Sequence, residues 1–335
     1  MIPESNLLTK TVDGKRRLCV SYSQIDMFVS CPMKWYKTYV EGNRSVEKTE
    51  ALSYGTSMHE TLEWFFKNGA SPSLPDIVRK FEEIAEKEEI PFESEMSQLE
   101  CMRDALMMLE WIAGLFDRDT SGFKRAWSTL SPIEKVIRGS RPAGVEESFN
   151  LPYKLPLSVT VGEDTFNDVI ITGSVDWRGE YLMRGETYIY TIDWKSGRKM
   201  FNQDKLDHNL QHPIYSFYIL RKYGKLPSMC SYVFTRFQKS QEVKVDMDKV
   251  RRSSKELTGI LGDMYDFDNE DVTEYDAHVR TARGGFFKTR NRTPEPMPRN
   301  MRPRPSALCF WCDFSVHKKG GCPFSSDWST EDKKR

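Results

Sequence analysis

The stretch from Gly173 to Gly197 constrains the chain most. Val169-Ile170-Ile171-Thr172 leads into Gly173-Ser174-Val175-Asp176. A segment holding Arg178, Gly179, Arg184 and Gly185 follows, and then Tyr188-Ile189-Tyr190-Thr191-Ile192-Asp193-Trp194-Lys195. Two runs this rich in β-branched and aromatic residues, parted by glycine-bearing polar residues, predict a strand, a loop and a second strand. Side chains alternate faces along a strand, so Asp193 and Lys195 share one face, about 6–7 Å apart. Tyr190, Ile192 and Trp194 line the other, toward a core. Pairing of the two strands brings Asp176 near Asp193. Two carboxylates and a lysine on one patch suit a hard divalent cation, which activates water and polarises phosphoryl oxygens. The same residues also describe an exposed hairpin with a surface Asp–Lys pair of little energetic worth.

The 335 residues allow one large domain or two of ordinary size. Lys+Arg and Asp+Glu both number 49, so attraction to nucleic acid has to come from local patches. No apolar run approaches a membrane span, and the polar start, Met1 to Val20, lacks the apolar centre of a signal peptide. The chain reads as cytoplasmic. In that reducing setting its seven cysteines point to thiols or metal ligation over disulfides. No G-x-x-x-x-G-K-[ST] occurs, so any helicase is a separate partner.

Ser21 or Ser23 can cap a helix whose apolar face holds Ile25, Phe28 and Val29. Pro32, after Cys31, either opens a new helical segment or breaks the first. Residues 51–68 read as a helix through Leu52, Met58, Leu62, Phe65 and Phe66, with Gly55 and His59 on one face. The glycine there lets a neighbouring backbone approach. A lone histidine on such a helix is commonly a packed or surface residue. Residues 75–138 are mostly helical: Asp76–Glu89, then Glu95–Phe116 with Leu99, Met102, Leu106, Leu109 and Ile112 at helical spacing, then Phe123–Ile137. The stretch 70–140 has no catalytic pattern and reads as a helical insertion or cap. Strands are expected at Val145–Leu151, Leu157–Val161, Val169–Trp177 and Tyr188–Lys195. Glu146 or Glu147 on the first can reach the Asp176 patch, although acids on strand surfaces are common. Residues 202–223 read as a helix with Gln211 and Tyr215 four apart, and Pro213 marks a kink or a later start. A strand pair at 229–236 and 241–246 and a helix at 247–265 follow.

Charge then segregates. Asp263 to Asp276 holds seven acids and no base, while Arg280 to Arg304 holds eight bases against Glu295 and is broken by Pro294, Pro296, Pro298 and Pro303. This reads as an extended arm that follows a phosphate backbone, with Phe286 and Phe287 for base stacking. A solvated loop folding back on the acidic segment is the alternative. Near the end stand Cys309, Cys312 and Cys322. A C-x2-C core with a third thiol suggests a metal centre needing a fourth ligand, either His317, giving a Cys3His zinc site, or the distant Cys31. Cys19 and Cys230 lack such context, and Cys101 falls among packed apolar positions.

Six motifs in order run from residue 31 to 322: Cys31-Pro32, Gly55-Thr56-x-x-His59, Gly173-Ser174-Val175-Asp176, Asp193-Trp194-Lys195-Ser196-Gly197, Gln211-x-x-x-Tyr215, and Cys309, Cys312 and Cys322. In this order they resemble the RecB-type branch of the PD-(D/E)xK nuclease superfamily, and most closely its iron–sulfur members, the AddB nuclease domain and the CRISPR-associated adaptation exonucleases. The helical stretch and the basic arm are not covered, and Val175 stands where the superfamily's nominal motif has proline. The resemblance implies a single domain over 1–335 of α/β (α+β) class, a restriction-endonuclease-like mixed sheet flanked by helices. Within it the residues themselves suggest a helical insertion at 70–140 and a basic arm, and with the cysteines these make a basic arm and cysteine-cluster lobe at 280–335. The resemblance implies that His59, Asp176, Asp193 and the carbonyl of Trp194 hold Mg²⁺ or Mn²⁺. Lys195 is then catalytic together with Asp176 and Asp193, and Gln211 and Tyr215 support the site or touch DNA. Cys31, Cys309, Cys312 and Cys322 hold a [4Fe–4S] cluster, with zinc as the alternative. The expected activity is a DNA exonuclease of recombination, repair or phage DNA metabolism. The rival is a non-catalytic DNA-binding scaffold that keeps the fold and the cysteine centre.

Overall fold

A β-strand has two edges, and the way one long strand shares its second edge sets this architecture. The computed structural model describes residues 7–43, 48–116, 130–267, 272–280, 286–297, 301–304, 309, 312–315 and 322, with 272–280 and 286–297 by backbone alone. Strands β1 (Thr9–Val12) and β2 (Lys15–Ser21) form a hairpin through Asp13 and Gly14, both at positive φ. Strands β3 (Arg141–Val161), β4 (Asp164–Met183) and β5 (Glu186–Lys195) then form an antiparallel meander. Arg184 and Gly185, both at positive φ, make the two-residue turn between β4 and β5. Strands β6 (Met229–Phe234) and β7 (Lys239–Val243) complete a seven-stranded mixed sheet, β6 running parallel to β5.

β3 occupies one edge of β4 along nearly its whole length. The other edge is divided. β2 pairs there at Ile170–Thr172, and β5 pairs there from Trp177 onward. Gly173 to Asp176 lie in the gap, where the sheet forks. The expected strands Val145–Leu151 and Leu157–Val161 are one strand, with a register irregularity between Lys154 and Val159 that contains Pro156. β3 is an edge strand here, where proline is tolerated.

Helices cover both faces. Helix α1 (Tyr22–Ser30) starts where the Ser21 hydroxyl accepts from Gln24 N, and α2 (Pro32–Trp35) opens at Pro32. Between them Cys31 is extended, with φ −162°, so Pro32 both ends one helix and begins the next. Helix α3 (Glu50–Lys67) is capped by Thr49, and α4 (Leu74–Lys87) and α5 (Glu95–Phe116) follow. Helix α6 (Pro132–Gly139) begins with a Ser131–Glu134 capping box. The expected helix at Phe123–Ile137 is described only from Pro132, and 117–129 lie outside the described residues. Residues 202–223 divide into α7 (Gln203–His208) and α8 (Gln211–Tyr223). Pro213 therefore falls in a first turn, where its missing N–H costs nothing. Helix α9 (Met247–Tyr265) is capped by Asp246. The basic segment contributes backbone to a hairpin of β8 (Val272–Arg280) and β9 (Phe286–Met297).

One core joins α1, α2, α8 and α9 to the sheet through Phe28, Trp35, Phe149, Ile171, Tyr218 and Leu261. A second joins α3 to α6 through Met58, Phe65, Phe81, Leu109, Trp177 and Trp194. Three facings differ from the sequence pattern. On α1 Ile25 and Phe28 are buried but Val29 is exposed. Leu52 is exposed and Tyr54 takes its place in the core. On α5 the buried residues are Cys101, Ala105, Met108, Leu109, Ile112 and Leu115, which leaves Leu99 and Leu106 outside. Cys101 on the inner stripe meets Glu50 of α3, its Sγ donating to Glu50 Oε1 at 3.3 Å.

Behind the fork, Glu147 accepts from Arg178 Nε (2.7 Å), Tyr218 OH (2.7 Å), Lys222 Nζ (2.6 Å) and Tyr223 OH (2.7 Å). Burial opposes its ionisation, but these donors outweigh it and hold the carboxyl down at about 2. Arg178 is 4% exposed and also donates to Glu180 at 2.6 Å, so losing Glu147 removes one of its two carboxylates and the shared acceptor of Tyr218, Lys222 and Tyr223. Glu147→Ala is expected to lower stability by about 1–3 kcal/mol, read as a lower urea midpoint at pH 7.

Candidate active site

The fork places Asp176. Its Oδ2 accepts from the backbone N of Trp194 at 2.9 Å, beyond the last β4–β5 pair, Trp177 with Ile192. The side chain thus occupies the position a strand neighbour would have held. Side-chain alternation slips at the same point. Val169, Ile171 and Val175 face the first core and Trp177 faces the second, although residues two apart share a face in a regular strand. β3 slips in step: Phe149 and Leu151 face the first core and Val145 packs on the second. Glu146, between the pairs Val145–Trp177 and Glu147–Val175, has φ 46°, a left-handed conformation unfavourable for a side-chain-bearing residue. Paired slips of this kind act as bulges that re-aim side chains.

The slip brings Glu146 beside Asp176, where His59 of α3 meets both. His59 Nδ1 is 3.6 Å from Asp176 Oδ2 and 3.8 Å from Glu146 Oε1. One ligand atom from each of the three residues lies within 4.8 Å of the other two. Gly55, one helical turn before His59, faces Ser196 just after β5. A methyl at Gly55 would stand 3.6 Å from its hydroxyl, so close backbone approach does not require this glycine.

Asp193 and Lys195 form the adjoining wall. Asp193 is 1% exposed, and its Oδ1 accepts from Gln211 Nε2 at 2.6 Å. Gln211 Nε2 also donates to Tyr215 OH at 3.0 Å, so the i, i+4 pair on α8 acts as one clamp. Lys195 Nζ lies 2.5 Å from Asp193 Oδ2 and 3.4 Å from Gln211 Oε1, with the Tyr232 ring 5.5 Å away. Behind that ring His212 is fully buried and held neutral, its acidity pushed to about 4 by burial.

The electrostatics are those of a cation site. Burial, then the charges of Asp193 and Glu146, push the Asp176 carboxyl up to about 8, although His59 pulls it down. Burial disfavours protonation of His59, but a hydrogen bond with Glu146 and the charges of Asp176 and Asp193 outweigh it and raise the imidazole to about 9. Burial also acts against the charge on Lys195, and Asp193 more than restores it. Lys195 is therefore held as an ammonium, suited to stabilising negative charge rather than to removing a proton. Asp193 Oδ2, buried, makes no hydrogen bond of good geometry. Two carboxylates are hard oxygen donors and the imidazole a borderline nitrogen donor, a set that fits a divalent cation.

His59, Asp176, Asp193, Lys195, Gln211 and Tyr215 thus lie together. Asp193 is turned to Lys195 and Gln211 and stands outside the group of three ligand atoms. Glu146 belongs to that group. Only register arithmetic across β3 and β4 could have singled it out from Glu147.

Cys31, Cys309, Cys312 and Cys322 line one pocket, together with Met33, Pro303 and Phe314. Arg304 N donates to Cys31 Sγ at 3.5 Å, and burial, opposed by backbone donors, raises the Cys31 thiol. Cys19, Cys101 and Cys230 are buried elsewhere. His317 lies outside the described residues.

A family profile of the PD-(D/E)XK nuclease superfamily matches residues 19–316, and the chain belongs to that superfamily. Over 207 residues, 55% of this chain, it is 25% identical to a subunit of the ATP-dependent helicase/deoxyribonuclease of Clostridium acetobutylicum. The chain spans 16% of that relative's length. Among the described residues no helix is long and apolar enough to cross a membrane.

The raised Asp176 and His59 predict how the metal-free protein responds to pH. In the unfolded chain Asp176 loses its proton near pH 4 and His59 near 6.5, whereas the folded site holds protons to about 8 and 9. Between those limits the folded state binds more protons, so its stability falls as pH rises. Thermal melts in chelator are expected to drop from pH 6 to pH 9, with Mn²⁺ restoring the loss. Uptake of Mn²⁺ at pH 7 is expected to release protons, seen as a dependence of binding heat on buffer ionisation.

Proposed function

We propose that this protein is a metal-dependent DNA exonuclease that hydrolyses phosphodiester bonds, with Mg²⁺ or Mn²⁺ held by His59, Glu146, Asp176, Asp193 and the carbonyl of Trp194. The observation that carries the reading is the convergence of His59, Glu146 and Asp176 within 4.8 Å beside the Asp193–Lys195 pair. A bound divalent ion supplies an activated water and charge neutralisation at the phosphate. The residues supply the rest. Gln211 fixes the Asp193 carboxylate, and Tyr215 fixes Gln211. Lys195, kept cationic, stabilises the charge that builds on the phosphoryl oxygens as the bond breaks. The name of the Clostridium acetobutylicum relative, which joins helicase and deoxyribonuclease, supports DNA as substrate and a separate helicase as partner. Recombination, repair or phage DNA metabolism is the setting.

The four-cysteine pocket is proposed to hold a [4Fe–4S] cluster. Four thiols from the α1–α2 junction and the C-terminal segment match its ligand number. Such a cluster ties the two ends of the chain around the sheet. Zinc is the alternative occupant.

Digestion of end-labelled linear DNA with Mg²⁺ or Mn²⁺, against a circular control, tests the activity. Asp193→Ala is expected to be inactive. Lys195→Ala is expected to lose about 10²–10³-fold in cleavage while its Mn²⁺ affinity stays within a few-fold of wild type. Equal inertness of wild type and Asp193→Ala across metals and under anaerobic handling would favour the non-catalytic scaffold. An absorption shoulder near ~400 nm with iron and sulfide is expected, whereas colourless protein carrying zinc would remove the cluster. Cys31→Ser is expected to destabilise the fold more than Cys230→Ser.

A further inference from the structure

A surface helix normally buries one stripe and carries polar side chains elsewhere. On α5 the outward side departs from this. Met96, Leu99, Leu106 and Met107 are 65%, 64%, 45% and 50% exposed, and Arg103 and Glu110 are exposed among them. At 100° per residue these six side chains fall within an arc of about 100°. Leu99, Arg103, Leu106 and Glu110 follow the alternating four- and three-residue step of a coiled-coil seam. The helix beneath is anchored. Asp104 pairs with Arg236, and Ser97 and Cys101 bond Glu50 of α3. The stripe is therefore a fixed surface, and an apolar one of this kind marks an interaction site.

We propose that the stripe docks on the same stripe of a second copy of this chain, antiparallel, about a two-fold axis between Leu106 and Met107. The charges favour this occupant. In that register Arg103 faces the partner subunit's Glu110, and Leu106 faces the partner subunit's Met107. Leu99 faces the partner subunit's Gly114, and a side chain at Gly114 would meet open space, so room exists there for a leucine. Each contact occurs twice in an isologous interface, so two ion pairs flank an apolar centre. A parallel pairing sets arginine against arginine and glutamate against glutamate. Among the described residues Arg103, 67% exposed, pairs with its chain neighbour Asp104 at 3.2 Å, a contact that leaves the guanidinium at the surface.

Light scattering and sedimentation of the full chain, from about 1 to 100 µM, test this. A concentration-dependent dimer is expected. Leu106→Glu is expected to be monomeric, with the melting temperature of the wild type at its most dilute. Arg103→Glu and Glu110→Arg are each expected to weaken association roughly tenfold, and the double reversal to restore it. A wild type that stays monomeric at the top concentration overturns the proposal, and so does a dimer that survives Leu106→Glu. Failure of the double reversal to recover overturns the antiparallel register. The readouts do not depend on DNA cleavage, so they stand or fall apart from the nuclease reading.

Discussion

The hydrogen bond from Trp194 N to Asp176 stands where β4 runs out of backbone partners on one edge. β2 leaves that edge at Thr172 and β5 arrives at Trp177, and the four residues between are held by β3 alone on the other side. An open strand edge inside a sheet leaves backbone groups to be satisfied. Here a side-chain carboxylate does it, and in doing so is carried into the buried end of the fork. The joint slip of β3 and β4 then sets Glu146 beside it. The site is a by-product of how three strands share one, which is why its parts come from residues far apart in the chain.

The same arrangement concentrates charge. Three carboxylates face one lysine and one histidine in a largely buried space, and no rearrangement of hydrogen bonds neutralises them all. Burying like charges this close is costly, which is why the Asp176 carboxyl keeps its proton to about 8. The Glu147 knot, a single residue away, shows the contrast. There one carboxylate is saturated by four donors and is silent chemically.

Much of this was legible in the chain because it is local. Asp193 and Lys195 share a face by the two-residue period, and Gln211 and Tyr215 by the four-residue one. Ser21, one of two candidates by its place before an apolar helical face, caps α1. What was hidden depends on distant partners. Val145–Leu151 and Leu157–Val161 look like two strands until β4 is laid beside them. Glu146 and Glu147 are indistinguishable until the register across β3 and β4 is known. On α5 two apolar stripes compete for the core, and Leu99 and Leu106 lose to Cys101 and Ala105. Periodicity counts apolar residues, but it does not know which stripe will find a surface.

The Asp176–Trp194 contact has one more effect. The oxygen that holds a backbone amide is also the oxygen that faces His59, so the end of β5 and the imidazole of α3 are tied to one atom at a single peptide.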